Sequence, residues 1–337
     1  ATKRKDATMK KLLVGAFALS MLAACNAGED HQLNQEQTDA LASGSTVTQR
    51  TCPSEDIRKE ALANNPALMA KFVENESKTA KFIDDLSMGR VLADGTVEIP
   101  VVVNVLYRTS AENISDAQIA SQIATLNKDF GGTNSDVSKI PAEFTSVAAG
   151  DTKIKFRLDR VIRKSTTVRS WRTNDAMKKS SSKGQDAFKP ANYFNIWVVG
   201  DMGGVLGYAT FPESAGLWND GVVIAGKYFG TTANAPYNLG RTATHEVGHY
   251  LNLRHIWGDG NCATDYVNDT PTQQDKNFGK PTYPQYDLCG GVNRSIQFMN
   301  YMDYVDDAAM YMFSAGQKTR MQAITNASGA RSGLRIY

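Results

Sequence analysis

Four histidines occur in the 337 residues, and three of them, His245, His249 and His255, share the stretch HEVGHYLNLRH with Glu246. Imidazole nitrogens are ligands for divalent transition metals. Two histidines four residues apart on a helix stand about 40° apart around its axis, so both rings can reach one ion. A tetrahedral Zn²⁺ with three protein nitrogens keeps one position for water or substrate, which is the arrangement of a catalytic site rather than a structural one. Glu246 lies about 100° round the same helix and can reach a water in that position without ligating the metal. It can take the water's proton once the metal has lowered its pKa to about 7. A histidine pair on a helix is more often core or surface than metal site. Scattered at random, however, four histidines would spell H-E-x-x-H in well under about one chain in a hundred.

His255 tests this reading. On an uninterrupted helix it would stand about 600° past His249, away from the metal face, so the helix must end and the chain double back. Asn252 stands in that interval. Asparagine is among the non-glycine residues that best tolerate the left-handed region. It is expected just past the end of the helix, turning the chain so that His255 closes the site. The helix itself is expected over 239–251, with Leu239, Ala243, Val247, Tyr250 and Leu251 available for packing.

The elements that must hold this helix are legible ahead of it. VEIPVVVNVLY, ending at Tyr107, is a β-rich apolar run that reads as a central strand. ISDAQIASQIATLNKDF has Ser115 as a cap and Ile119, Ile123, Leu126 and Phe130 at helical spacing. TKIKFRLDRV alternates, with Ile154, Phe156 and Leu158 on one face, while residues 193–200 and 221–226 read as further strands. Residues 53–86 follow a broken helical pattern. The order β-α-β-β-β-α describes a twisted sheet backed by helices, an α+β fold, followed by an irregular region rich in Asp, Gly, Pro and Tyr. No internal repeat is present.

A net charge of +2, from 37 basic and 35 acidic residues, gives no case for nucleic acid as a partner. MKKLLVGAFALSMLAAC, from Met9, has the charged and apolar regions of an export signal, too short to span a bilayer. Its LAAC ending is similar to a bacterial lipobox with Cys25 as the lipidated residue; the alternative is an ordinary signal peptide. Residues 1–25 therefore read as leader and signal, 26–85 as tether and prosegment, and 86–337 as the catalytic domain. Exported cysteines tend to pair, and Cys262 with Cys289 is the default disulfide, closing a loop that would stabilise by roughly 3 kcal/mol. Cys52 is left over.

HEVGHYLNLRHIWGDGNC resembles the metzincin metallopeptidases, in particular the pappalysin or cytophagalysin (M43) group, over about residues 98–325. FMNYMDYVDDAAMYMF resembles that group's Met-turn. The resemblance implies a twisted five-stranded mixed sheet with an active-site helix, and an irregular C-terminal subdomain that ends in a helix. It implies Met302 as the hydrophobic base beneath the zinc, and Tyr304 as a phenol that stabilises the oxyanion of the tetrahedral intermediate. Where the group carries glycine this chain has Asn252. Cysteines of a second disulfide are replaced together by Lys280 and Ala309. The acidic residue that relatives preferring arginine after the scissile bond carry is here Ala308, with Asp306 and Asp307 as possible substitutes. Related enzymes bind calcium in the loop after the third histidine. Here Asp259, Asp265, Asp269 and the Thr270 hydroxyl offer hard oxygens suited to Ca²⁺, the alternative being a solvated acidic loop.

Some metzincins use a prosegment cysteine as a fourth metal ligand, which points to Cys52 as a latency residue, released by cleavage near Lys78 or Lys81. Its alternatives are a thiol without a role, or pairing with Cys25. The function so read is a secreted or surface-anchored zinc endopeptidase made as a latent zymogen. It would act on protein or peptide substrates as a monomer, touching the membrane only through an N-terminal lipid anchor. Two readings compete. One is a zinc peptidase that takes a distant glutamate as third ligand, which His255 makes unnecessary. The other is a non-catalytic adhesin stabilised by zinc and calcium, for which Glu246 would have no use.

Overall fold

All of strand β1 (Val97–Tyr107) is buried except Glu98 and Tyr107. A run so uniformly apolar is at home only where both faces of a sheet are covered. In the computed structural model, which describes residues 47–89 and 95–335, β1 lies parallel between β2 (Ile154–Ser165) and β3 (Phe194–Val199). The expected signal segment, Cys25 and the expected tether as far as residue 46 lie outside the described residues. β5 (Val222–Ala225) continues the sheet in parallel, and β4 (Gly207–Ala209) closes its edge antiparallel, giving the five-stranded mixed order β2-β1-β3-β5-β4. β4 has three residues, two of them small, and carries no alternation that sequence periodicity could have located.

Helix α3 (Asp116–Phe130) starts where expected, the Ser115 hydroxyl accepting from the Gln118 N–H at 3.1 Å. Its apolar stripe, Ile119, Ile123, Leu126 and Phe130, is buried against the sheet, each side chain worth about 1.5–3 kcal/mol. On the same face lies α5 (Arg241–Tyr250), the motif helix, every residue of which is buried. The single turn α4 (Ala142–Thr145) and the final helix α6 (Ala315–Thr325) complete this side. A second core, with Trp171, Trp197, Tyr208 and Tyr237, fills the other face.

The broken helical pattern near the N-terminus is two helices. α1 (Ser54–Asn64) ends at Asn65, whose side chain accepts from the Ala67 and Leu68 N–H groups and caps α2 (Pro66–Ser87). A small hairpin, β6 (Tyr286–Cys289) and β7 (Val292–Ser295), stands apart from the main sheet. Gly290 and Gly291 form its turn, both at positive φ as a two-residue hairpin connection requires. No helix among the described residues is long and apolar enough to cross a membrane.

Candidate active site

Helix α5 ends as the sequence requires. Asn252 has φ 77°, in the left-handed region. Its N–H donates to the His249 carbonyl, and the Leu253 N–H donates to the Gly248 carbonyl, both at 2.9 Å. That pair of bonds defines a Schellman ending and turns the chain back toward the cleft. The Arg320 Nε donates to the Asn252 carbonyl at 2.8 Å and fixes the turn from the side of α6.

Three imidazoles converge beyond this turn. Nδ1 of His245 lies 2.7 Å from the Tyr301 carbonyl, and Nδ1 of His249 lies 2.8 Å from the Leu253 carbonyl. A carbonyl oxygen only accepts, so both Nδ1 atoms carry the proton. Burial pushes the pKa of both rings well below the ordinary histidine value, which leaves each Nε2 an unprotonated lone pair. Nδ1 of His255 lies 2.6 Å from Asp259 Oδ1, and its Nε2 lies 3.1 Å from that of His249. The Nε2 of His245 is buried without any hydrogen-bond partner. Ring nitrogens gathered in a dry cavity, that of His245 without any partner, call for a cation between them, and three imidazoles suit Zn²⁺. Among the described residues, the one set of ligand atoms able to share a metal is Cys52, His245, His249 and His255, all within 4.8 Å of one another.

Glu246 is 1 % exposed, and burial raises its carboxyl to about 7. Its Oε2 accepts from the Ser54 hydroxyl at 3.0 Å and the Cys52 thiol at 3.4 Å. Gly207 lets the edge strand pass over it, since a Cβ there would stand 3.2 Å from the Glu246 Cγ and closer still to Ile224 and Val223. Met302 is fully buried with its sulfur against Gly248, where a Cβ would come within 2.4 Å. The fourth letter of HEVGH is thus glycine because a methionine fills the space, a relation that spacing alone could not disclose. The Tyr304 ring stands 5.0 Å from His255 and 5.8 Å from His245. Asp303 between them, which sequence reasoning missed, accepts from the Tyr304 and Asn277 N–H groups and from the Asn277 and Gln273 amides. Those bonds pin the turn that carries Met302 and Tyr304.

The segment around Cys52 lies in the cleft. The Tyr304 hydroxyl donates to the Cys52 carbonyl at 2.8 Å and accepts from its N–H at 3.2 Å. Burial, then the Glu246 carboxylate, push the Cys52 thiol well up, so a thiolate here requires a cation for a partner. Two residues upstream, Arg50 is 1 % exposed and pairs with Asp307 at 2.7 Å, its ring-facing side over Tyr237. Downstream, the Ser54 hydroxyl accepts from the Ala209 N–H of β4. Arg58 pairs with Glu213 at 2.8 Å over the Phe211 ring, which itself stands 5.1 Å from His249. Nothing in the spacing of Arg50, Ser54 or Arg58 marked them beforehand.

In the loop beyond His255, Cys262 and Cys289 are disulfide-bonded with Cα atoms 5.6 Å apart. Asp259, expected among the calcium oxygens, instead orients His255 through the contact given above. Asp265 accepts from the Thr270 hydroxyl at 2.7 Å and from the Val267 N–H. Asp269 turns to the start of α6, accepting from the Ser314 hydroxyl and the Gly316 N–H, where a carboxylate complements the helix dipole.

A mixed sheet, a buried H-E-x-x-H helix and a third histidine carried back by a tight turn define a metal-dependent hydrolase, and comparison with known proteins sharpens the class. Residues 178–326 match the M43 peptidase family profile, described as pregnancy-associated plasma protein-A. An extracellular metalloprotease of Uncinocarpus reesii is 31 % identical over 304 residues, covering 87 % of this chain and 97 % of that protein. The structure of a promirolysin mutant from Tannerella forsythia is similar with a TM-score of 0.76 and 38 % identity, over 86 % of this chain and 98 % of that one. Mature mirolysin with a cleaved peptide gives 0.69 and 43 %, over 72 % and 97 %. The chain belongs to the M43 (pappalysin) family and is a zinc metallopeptidase with a metzincin-like α+β fold.

Proposed function

We propose that the chain is the latent precursor of an exported zinc endopeptidase in which His245, His249 and His255 hold the metal and Glu246 is the general base. The observation that carries this reading is the convergence of three imidazoles, whose ligand atoms lie within 4.8 Å of one another, beside a buried glutamate. Zn²⁺ in that position supplies Lewis acidity toward the attacking water and the scissile carbonyl. Glu246 accepts the water's proton and returns it to the leaving amine. Burial, which in the uncut chain raises its carboxyl to about 7, favours such a proton shuttle near neutral pH. Tyr304 donates its phenolic hydrogen to the developing oxyanion, the bond it now gives to the Cys52 carbonyl. Met302 and Asn252 act on the ligands indirectly, as floor and as turn.

Cys52 holds the precursor latent as a fourth ligand, its thiolate excluding the water that Glu246 needs. Release follows a cut in α2 near Lys78 or Lys81, both exposed on that helix. Asp307 takes the place of the acid missing at Ala308, and the buried Arg50 that it binds supports a preference for a basic substrate side chain in the same pocket. The extracellular relatives and the N-terminal signal favour export, with lipidation of Cys25 as the anchored form. Calcium in the loop would be bound by Asp265, Asp269 and Thr270; burial pushes Asp265 up to about 6, a direction a bound cation would reverse. One variant tests the role given to Glu246. Glu246→Ala is expected to keep about one zinc per chain while losing nearly all cleavage of a denatured protein. Retained cleavage, or loss of the metal, would overturn the role given to Glu246.

A further inference from the structure

We infer that the mature enzyme carries a carboxylate-binding exosite, built from Asn252, Arg254 and Arg320, that takes an acidic side chain of the substrate away from the scissile bond. The inference rests on the peptidase reading above and adds to it a second recognition element.

In the precursor the position is filled by Glu76 of α2. One carboxylate oxygen of Glu76 accepts from Arg320 Nη2 at 2.5 Å and from the Asn252 side-chain amide at 3.2 Å. Although burial opposes it, Arg320 and then Arg254 hold the Glu76 carboxyl below its ordinary range. Arg254 stands over the Tyr266 ring at 4.2 Å, and its Nε is buried without a partner. A cut near Lys78 or Lys81 removes Glu76 with the rest of the prosegment.

What stays behind remains organised. Arg320, 3 % exposed in the precursor, keeps its Nε on the Asn252 carbonyl, and Asn252 is held by the two backbone bonds of the helix ending. Tyr266 lies under both guanidinium groups, at 4.2 and 5.7 Å. Glu55 and Glu76, the acids that act on Arg254, both belong to the departing segment. On the catalytic side, Asp265 feels Arg320, but its oxygens are bonded to Thr270 and the Val267 N–H. The Arg320 guanidinium and the Asn252 amide thus keep donors aimed at the place Glu76 leaves, with the Arg254 charge beside them, a combination that selects a carboxylate. This also gives the departure at residue 252 a second reason. Glycine would make the turn equally well, but only asparagine adds a donor to the clamp.

The prosegment's path locates the site along the cleft. It passes from the Asp307 pocket through the metal ligands to Glu213 and only then reaches the clamp, so the acidic side chain belongs on the side of the scissile bond away from the Asp307 pocket.

The test uses one cleavable peptide sequence with glutamate or glutamine scanned through that side, assayed on the enzyme freed of its prosegment. The expected result is a Glu/Gln ratio in kcat/KM of about fivefold or more at one position remote from the scissile bond, arising in KM. It should fall to near unity in Asn252→Gly, in Arg254→Gln and at high ionic strength. The same peptide pairs, read by fluorescence anisotropy on the Glu246→Ala chain after removal of its prosegment, give the ratio without turnover. A chain without proteolytic activity would then fail the peptidase reading while the binding ratio still decides the exosite. A ratio near unity at every position in the wild type, or one unchanged in both variants, would overturn the inference.

Discussion

Substituting Asn252 by valine and by glycine separates backbone conformation from side-chain chemistry at the turn that delivers His255. At φ 77° a β-branched residue is strained by about 1–3 kcal/mol, whereas glycine is relieved of the smaller penalty that asparagine carries there. Both variants lose the amide bond to Glu76 in the uncut chain, worth about 0.5–1.5 kcal/mol. Asn252→Gly should therefore stay within about 1 kcal/mol of the parent in the uncut chain, since relief and loss offset each other. Asn252→Val should lose about 1.5–4.5 kcal/mol, the sum of strain and lost bond. Part of the strain can escape by moving Leu253, whose carbonyl orients His249, and with it His255. Every 1.4 kcal/mol transferred to the site in this way weakens zinc binding about tenfold, so the valine variant should bind zinc roughly 10- to 100-fold less tightly. The assay is competition for zinc against a chelator of known affinity, in a Glu246→Ala background that cannot digest itself, with thermal melts alongside. Equal zinc affinity in the glycine and valine variants would refute the reasoning.

Arg50→Ala strips the partner from a fully buried carboxylate, a change that costs about 3–5 kcal/mol when nothing replaces the charge. The uncut chain should then process itself at least about tenfold faster on a gel time course, with Arg50→Lys intermediate; an unchanged half-time would count against Arg50 as an anchor of latency. Removal of calcium with a chelator that spares zinc should lower the melting temperature and open the segment between His255 and Cys289 to trypsin. An unaltered melt would leave Asp265 and Asp269 as structural carboxylates only.

The convergence of the three histidines was legible because helical geometry and the tolerance of asparagine for positive φ are local properties. His245, His249, Asn252 and His255 needed no tertiary information to be brought together on paper. The sheet was legible where strands are long and apolar, as in β1, and illegible at β4, where Gly207 is chosen for clearance over Glu246 rather than for strand propensity. Long-range partners escaped for the same reason. Asp259 is an acid in an acidic loop until the fold sets it against His255. Asp303 is a polar residue in the Met-turn until Asn277 and Gln273 arrive from elsewhere in the chain. The hairpin β6–β7 carries turn chemistry in its two glycines, but its strands are short and half polar. Cys52 was singled out by arithmetic on cysteines and by the metzincin resemblance; its company with Ser54, Glu246 and Tyr304 is a product of folding.

In the proposed enzyme one zinc sits between three histidines and, before processing, the Cys52 sulfur. Zinc K-edge absorption on the uncut Glu246→Ala chain measures that coordination shell directly. The account predicts one sulfur at about 2.3 Å together with nitrogens at about 2.0–2.1 Å, the sulfur disappearing in Cys52→Ala while the nitrogens remain. A shell of nitrogen and oxygen alone in both chains would contradict it.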